Sequence, residues 1–450
     1  MSATLPDLLI RADWMILGGG RAPLPDVTVT VEHGLVSSVT SGPTPAPAAA
    51  KRLIDAGNAV LMPGFVDPHT HIASNMLLRG LLDDLAGTEQ FTWLERMWSI
   101  KLNVDHETLY WASLAGLVEM AKAGITCFNE HFDGYAVRPQ ARALQRLPLR
   151  ATLGFGFADG AETGLYADLA DWSFKALEDW DAAIEGVEHD GDRVRLALSP
   201  HAPYSTSPAL WRGTRELASE RGLTIHTHVA EGLREVDYLR TYHGRPSTVA
   251  WLEEMGFLGP DVTAAHCSVT DATDRQALAR HGVKVAHCPI SNARGASGRM
   301  DLRGMWEAGV HVGLATDGPA GHNTLDMFQE MKFAAITHKQ ATDDPTFLTT
   351  RQVLDLATRD AAVAMHRPEL GRIEVGAPAD LAVVSLAGAH VQPMYDVEAA
   401  LVYSSRADDV THTIVGGRVL VDNGEVVGLD QAEITARFRE SALALARRSL

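Results

Sequence analysis

The stretch VTAAHCSVTDATDRQALARHGVKVAHC (262–288) holds two apolar runs, VTAAHC (262–267) and VKVAHC (283–288), joined by DATDRQALARHG (271–282). Each run reads as a short buried strand, and the joining segment has helical spacing behind an aspartate that makes a good N-cap. Working outward, the same alternation returns at AVLMPGFV (59–66), GITCF (124–128), RATLGFGF (150–157), VRLALS (194–199), LTIHTHV (223–229) and VHVGLAT (310–316), with amphipathic stretches such as DHETLYWASLAGLVEMAKAG (105–124) between them. Eight apolar runs alternating with helices over roughly 300 residues is the count expected of a (β/α)8 barrel. An open doubly wound sheet is the competing arrangement, but the GxGxxG or GxxxxGK[ST] turn that would cradle a phosphate is missing after the first run.

The flanks have another texture. Short β-like runs at Trp14 to Leu17, Val27 to Val31 and Val36 to Val39 are separated by GGG, PLPD and a Pro/Ala-rich stretch at 43–50. Similar runs come back late, in ADLAVVSL (379–386) and THTIVGGRVLVDNGEVV (411–427). Either half alone would expose strand edges, so the two chain ends are expected to pair into one small β-sandwich. The resulting division is 1–62 for the first half of the β-domain, 63–370 for the barrel, 371–430 for the second half and 431–450 for a C-terminal helix.

Composition bounds the function. A chain of 450 residues with 46% hydrophobic and 21% charged residues has the make-up of a packed globular protein. Its formal charge of −18 repels phosphate backbones and anionic lipid, which argues against nucleic acid or a membrane as partner. Cys127, Cys267 and Cys288 lie in apolar runs and are too few for a disulfide framework. With no basic leader and no window of ~18 apolar residues, the cytoplasm is the expected compartment.

In a barrel the reacting groups lie where strands end. Here those ends collect histidine: His69 and His71 after the first run, His201 after the fourth, His226 and His228 in the fifth with Glu231 just beyond, His266 and His287 after the sixth and seventh, and Asp317 after the eighth. Residues i and i+2 of an extended chain face one side, so His69 and His71 can meet one ion. Alone that pair reads more readily as two satisfied core histidines; with His228 and Asp317 it becomes a set suited to zinc. Such an ion would lower the pKa of a water toward neutrality, and Glu231, three residues past His228, is placed to move protons. A helix-terminal glutamate and a core histidine are the plainer readings of Glu231 and His266. His226, deeper in the strand, reads as structural, and His287 as pocket wall or core.

PGFVDPHTH (63–71), HTHVAE (226–231), AAHC (264–267) and ATDGPAGHNTLDMF (315–328) together resemble the amidohydrolase superfamily, in the branch of 5-methylthioadenosine/S-adenosylhomocysteine deaminases, guanine deaminase and the triazine hydrolases. The resemblance runs nearly end to end. It implies that His69, His71, His228 and Asp317 hold one divalent ion, zinc or iron, with Asp317 also taking a proton from the water. It implies that Glu231 protonates a ring nitrogen and helps the amine leave, that His266 steers the water, and that His201 in SPHAPYS (199–205) contacts the substrate ring. The fourth run lacks the lysine that, once carbamylated, bridges two metals in the dihydroorotase and hydantoinase branches.

One departure bears on substrate. Nucleoside deaminases of this family follow the Arg-Gly segment, here Arg79-Gly80, with WPxE, whose glutamate holds the ribose hydroxyls; this chain reads Trp98-Ser99-Ile100-Lys101. An ammonium has donors and no acceptor, so Lys101 cannot accept two hydroxyl protons. With Glu130 and His131 placed to read a base edge at the pocket mouth, a free-base deaminase or a triazine hydrolase stands beside the thioether-nucleoside deaminase, and Arg79, Trp98, His131 and His201 are the expected substrate contacts. Ammonia, an alkylamine or chloride is an equivalent leaving group at the metal. A barrel kept as a non-catalytic binding module is the reading from a different class. The family resemblance also suggests a homo-oligomer, to which AEITARFRESALALARRSL (432–450) would contribute unless it packs on its own barrel.

Overall fold

The computed structural model describes residues 5–42, 50–81, 90–102, 104–131, 136–160, 177, 180–187 and 192–449. Most of the Pro/Ala-rich stretch and of the connection between the third and fourth barrel runs lies outside these residues.

Among the described residues seventeen strands form two sheets. In the first, β1 (Leu8–Met15), β2 (Leu24–Glu32), β3 (Leu35–Ser41), β4 (Arg52–Asp55) and β5 (Ala59–Pro63) are joined by β14 (Leu381–Ser385), β15 (Val410–Val415), β16 (Arg418–Asp422) and β17 (Glu425–Val426). The chain ends therefore do pair: β5 runs antiparallel to β14, from Ala59 opposite Ser385 to Pro63 opposite Leu381. The sheet branches at β1, which pairs with β2, β4 and β5. It encloses a separate core containing Ile10, Val29, Leu61, Val383 and Ile414. Three partners explain why β1 begins at Leu8, earlier than the alternation at Trp14 to Leu17 implies, with Leu8, Leu9 and Ile10 all buried. The hairpin between β15 and β16 turns on Gly416 and Gly417, and that between β16 and β17 on Asn423 and Gly424, all at positive φ as two-residue turns require.

The second sheet is the barrel. Its eight parallel strands are β6 (Phe65–Thr70), β7 (Ile125–Glu130), β8 (Arg150–Phe157), β9 (Val194–Pro200), β10 (Thr224–Val229), β11 (Val262–His266), β12 (Lys284–His287) and β13 (His311–Leu314). Helices cover it, and the expected caps are in place: Asp105 accepts from Thr108 N and Asp271 from Asp274 N. The ends of the sheet meet where Asp317 N donates to the His69 carbonyl (3.0 Å) and Thr316 N to Asp67 Oδ1 (3.1 Å).

The first apolar run, AVLMPGFV, needs correcting. It is not one barrel strand but two strands in two sheets, β5 and β6, broken at Gly64. A Cβ there would collide with the Thr126 side chain, so only glycine lets the chain pass from one sheet into the other. Nearby, the buried Arg150 guanidinium on β8 donates to Asp380 Oδ2 (2.6 Å), and Asp380 also accepts from Gly416 N, which ties the barrel to the small sheet. The helix Gln431–Ser449 packs on the helices His106–Lys122 and Gln90–Lys101, burying Ile434 and Leu445. That is the packed reading of the C-terminal segment.

Candidate metal centre and active-site cleft

Histidines from the ends of β6, β10 and β11 converge with Asp317, after β13, at one end of the barrel. The ligand atoms of His69, His71 and His228 lie within 4.8 Å of one another, as do those of His69, His266 and Asp317. Asp317 Oδ1 is 3.4 Å from His69 Nε2 and 3.5 Å from His71 Nε2. Ligand atoms around a tetrahedral zinc with bonds of 2.0–2.1 Å would stand about 3.3 Å apart. The two distances from Asp317 Oδ1 are nearly at that spacing.

The other ring nitrogens decide which way each imidazole faces. His71 Nδ1 donates to the His131 carbonyl (2.7 Å) and His228 Nδ1 to the His201 carbonyl (3.0 Å). A carbonyl only accepts, so both rings turn an Nε2 lone pair toward the centre. His69 Nδ1 lies 2.9 Å from His226 Nε2, while its own Nε2 is buried without a hydrogen-bond partner. An orphaned lone pair facing two others and a carboxylate is what a divalent cation satisfies, and the residues fit one zinc or iron ion.

Burial first, and neighbouring imidazoles second, hold His131, His226 and His228 well below the ordinary imidazole range. Burial likewise lowers His201, with His71 and Lys101 adding to it, and brings His266 down to about 3. Neutral imidazole is the ligating form. Burial alone would raise the Asp317 carboxyl, but the rings of His69, His266 and His71 hold it ionised, well below the usual carboxylate range. Its second oxygen accepts from Ser291 Oγ (2.5 Å), and Oδ1 from Gly318 N (2.6 Å).

A cleft of about 910 Å³, counting the solvent at its open mouth, lies over this centre. His71, His228, His266, Asp317, Glu231 and His201 line it together, beside an apolar wall of Trp93, Leu94, Met97 and Trp98 from the helix Gln90–Lys101. Trp98 meets the His201 ring edge-on at 5.7 Å, and Lys101, only 2% exposed, sits 4.5 Å from the Trp98 ring. His266 Nδ1 accepts from Asn292 Nδ2 (3.1 Å), leaving its Nε2–H as a donor.

Two expected substrate contacts lie elsewhere. Arg79 does not line the cleft; its guanidinium donates to Glu119 (2.6 Å), whose other oxygen accepts from Leu325 N. His131 packs behind the ligands, its ring 4.1 Å from that of His228, and Glu130 accepts from Ile72 N, so this pair braces the turn after His71 rather than the mouth. The sequence reading passed over Glu235 and Ser291. Buried Glu235 accepts from Ala230 N (2.9 Å), Glu231 N (3.1 Å) and Thr248 Oγ1, and so fixes the turn that carries Glu231. Its acidic character four residues past Glu231 was the one available signal. Ser291 gave none.

The chain is similar to known proteins over nearly its whole length. The model of the amidohydrolase family matches residues 60–420. The 5'-deoxyadenosine deaminase of Methanosarcina barkeri is 36% identical over 442 residues, 97% of this chain and 98% of that one. A 5-methylthioadenosine/S-adenosylhomocysteine deaminase of Syntrophomonas wolfei is 38% identical over 395 residues, covering 87% and 88%. Among solved structures, an adenosine deaminase from Xanthomonas campestris with bound zinc superposes with a TM-score of 0.89 at 28% identity, covering 99% of this chain and all of that one.

Proposed function

The chain belongs to the amidohydrolase family, and from that premise we propose that it is a metal-dependent hydrolytic deaminase of an amino-substituted aromatic N-heterocycle, of the kind that acts on adenosine-type nucleosides modified at the 5' position. The observation that carries the reading is the convergence of three Nε2 lone pairs, the Asp317 carboxylate and Glu231 in one cleft. Its likeness to two deaminase sequences and to one solved adenosine deaminase structure supports it.

When bound, a divalent ion on His69, His71, His228 and Asp317 supplies an acidified water. The remaining work belongs to side chains. Glu231 protonates the ring nitrogen beside the amine-bearing carbon while Asp317 removes one proton from the attacking water. A carbon–oxygen bond forms. The hydroxyl proton of the adduct then restores Glu231, the proton on Asp317 passes to the amine, and the carbon–nitrogen bond breaks to release ammonia. His266 Nε2–H orients the attacking oxygen, and His201, against Trp98 and held through Nδ1 by Ser205 Oγ (2.7 Å), faces the heterocycle.

Lys101 supports a second reading. It lines the cleft with an ammonium, a group that has N–H donors and no lone pair to accept with, which suits a carbonyl or other acceptor oxygen better than a vicinal diol and favours a free base. The deciding experiment is ammonia release by zinc-loaded protein against S-adenosylhomocysteine, methylthioadenosine, 5'-deoxyadenosine, adenosine, guanine, 8-oxoguanine, aminopterins and aminotriazines. Turnover of the nucleosides supports the first reading, and turnover confined to free bases replaces it with the second. Silence across the panel with one tightly bound metal overturns ammonia as the leaving group.

A further inference from the structure

Glu330, on the helix Met327–Thr342, is fully buried and has no part in the chemistry above. Its Oε2 accepts from Ile290 N (3.3 Å). Its Oε1 has no hydrogen-bond partner and lies 3.5 Å from His322 Nε2, which has none either. The other nitrogen of His322 settles where the proton is. His322 Nδ1 stands 2.5 Å from the Thr324 carbonyl, which can only accept, so Nδ1 carries a hydrogen, and in a ring that burial keeps neutral Nε2 presents a lone pair. A carboxylate oxygen against that lone pair would leave two acceptors facing each other away from water. A protonated carboxyl removes the conflict by donating from Oε1 to Nε2.

We infer that Glu330 is held as a neutral acid and serves as the positioning residue that locks the short helix Pro289–Arg294, which presents Ser291, to the loop that presents Asp317. The connections run in pairs. Ile290, which Glu330 holds, precedes Ser291, the donor to Asp317 Oδ2. His322 follows Gly321, whose carbonyl accepts from Arg294 Nη1 (2.8 Å) on the same helix as Ser291. Helix and loop are thus bridged on the cleft side by Ser291 and Arg294, and on the core side by Glu330. Gly321 shows how close they come, since a Cβ there would sit 2.7 Å from Ser291 Oγ. The surroundings agree with a neutral pair: burial, and beyond it the charges of Asp67, Asp317 and Asp326, push the Glu330 carboxyl well above its usual range, while burial lowers His322 to about 4.

The positioning role rests on the catalytic reading of this cleft; the protonation state does not, and the test separates them. Infrared difference spectra of wild type against Glu330→Gln at neutral pH should show the carbonyl stretch of a protonated carboxylic acid in wild type alone. Its absence overturns the neutral acid whatever the enzyme's substrate. Glutamine keeps a donor for His322 and an acceptor for Ile290 N–H, so E330Q should retain kcat within about threefold. Glu330→Leu keeps the volume without either group and should lose kcat by about 10–100-fold, the scale of supporting residues around a metal site, at unchanged zinc content. E330Q falling as far as E330L, or E330L matching wild type, overturns the positioning role. If E330L does not fold, the infrared band and E330Q decide.

Discussion

Glu231 reaches the cleft because Glu235 holds the backbone amides of Ala230 and Glu231, so its place is set by a neighbour and not by a metal bond. Glu231→Gln should therefore keep zinc at full occupancy while turnover falls ~100-fold or more, the scale of losing a general acid/base. Unchanged turnover with bound zinc would remove Glu231 from the mechanism. His228 differs in kind, since its Nδ1 is committed to the His201 carbonyl and only Nε2 is left for an ion. His228→Ala should abolish zinc binding, read directly by metal analysis of the purified protein. Full occupancy in that variant would transfer the ligand role to His226, whose Nε2 now lies against His69 Nδ1.

Under the proposed function the helix Gln90–Lys101 is the element placed to shape specificity, because it gives the cleft Trp93, Leu94, Met97, Trp98 and Lys101 on one face. Lys101→Glu replaces three donors with acceptors. It should raise kcat/KM for substrates with a free 2',3'-diol relative to free bases by about tenfold or more, the worth of one or two charge-assisted hydrogen bonds. An unchanged ratio, measured on matched substrates at equal zinc content, would place the discriminating contacts on another wall. At this scale it also becomes plain what the sequence could carry. The convergence of His69, His71, His228 and Asp317 was legible because a strand fixes its own side-chain alternation and a barrel fixes which strand ends meet, so none of the four needed a distant partner to be read. Arg79 and His131 were misplaced because their direction depends on partners 40 and more residues away, Glu119 for one and the His69, His226 and His228 rings for the other. The split of residues 59–66 between two sheets was hidden for a related reason. An apolar run looks the same whether one sheet buries it or two, and the break needed Thr126 pressing on Gly64 to show itself.

Across the whole molecule the buried imidazoles make folding a proton-linked event. Away from the ligand cluster, His338 on the helix Met327–Thr342 pairs with His287 (Nε2 to Nε2, 2.8 Å), and His366 bonds Thr263 Oγ1 (3.1 Å). Burial lowers His338 and His366 each to about 4, Arg299 adding in the first case and Lys284 in the second. The folded values lie below the ordinary 6.5, so below that pH the unfolded chain binds more protons than the folded one. The sign follows: each group's contribution is fully present above pH 6.5 and is lost as the pH falls toward 4, on the order of 3 kcal/mol per group at pH 4. Thermal melts of metal-free protein should therefore show Tm falling steeply below about pH 6.5. His338→Gln keeps a hydrogen-bonding group opposite His287 but cannot titrate there, so its stability should fall less steeply with acid, by close to one proton in the slope. Using the difference between variant and wild type cancels the titration of the ligand histidines, which the two proteins share. Parallel curves for the two proteins would mean that His338 takes up its proton within the fold, and that the His287–His338 pair adds nothing to acid sensitivity.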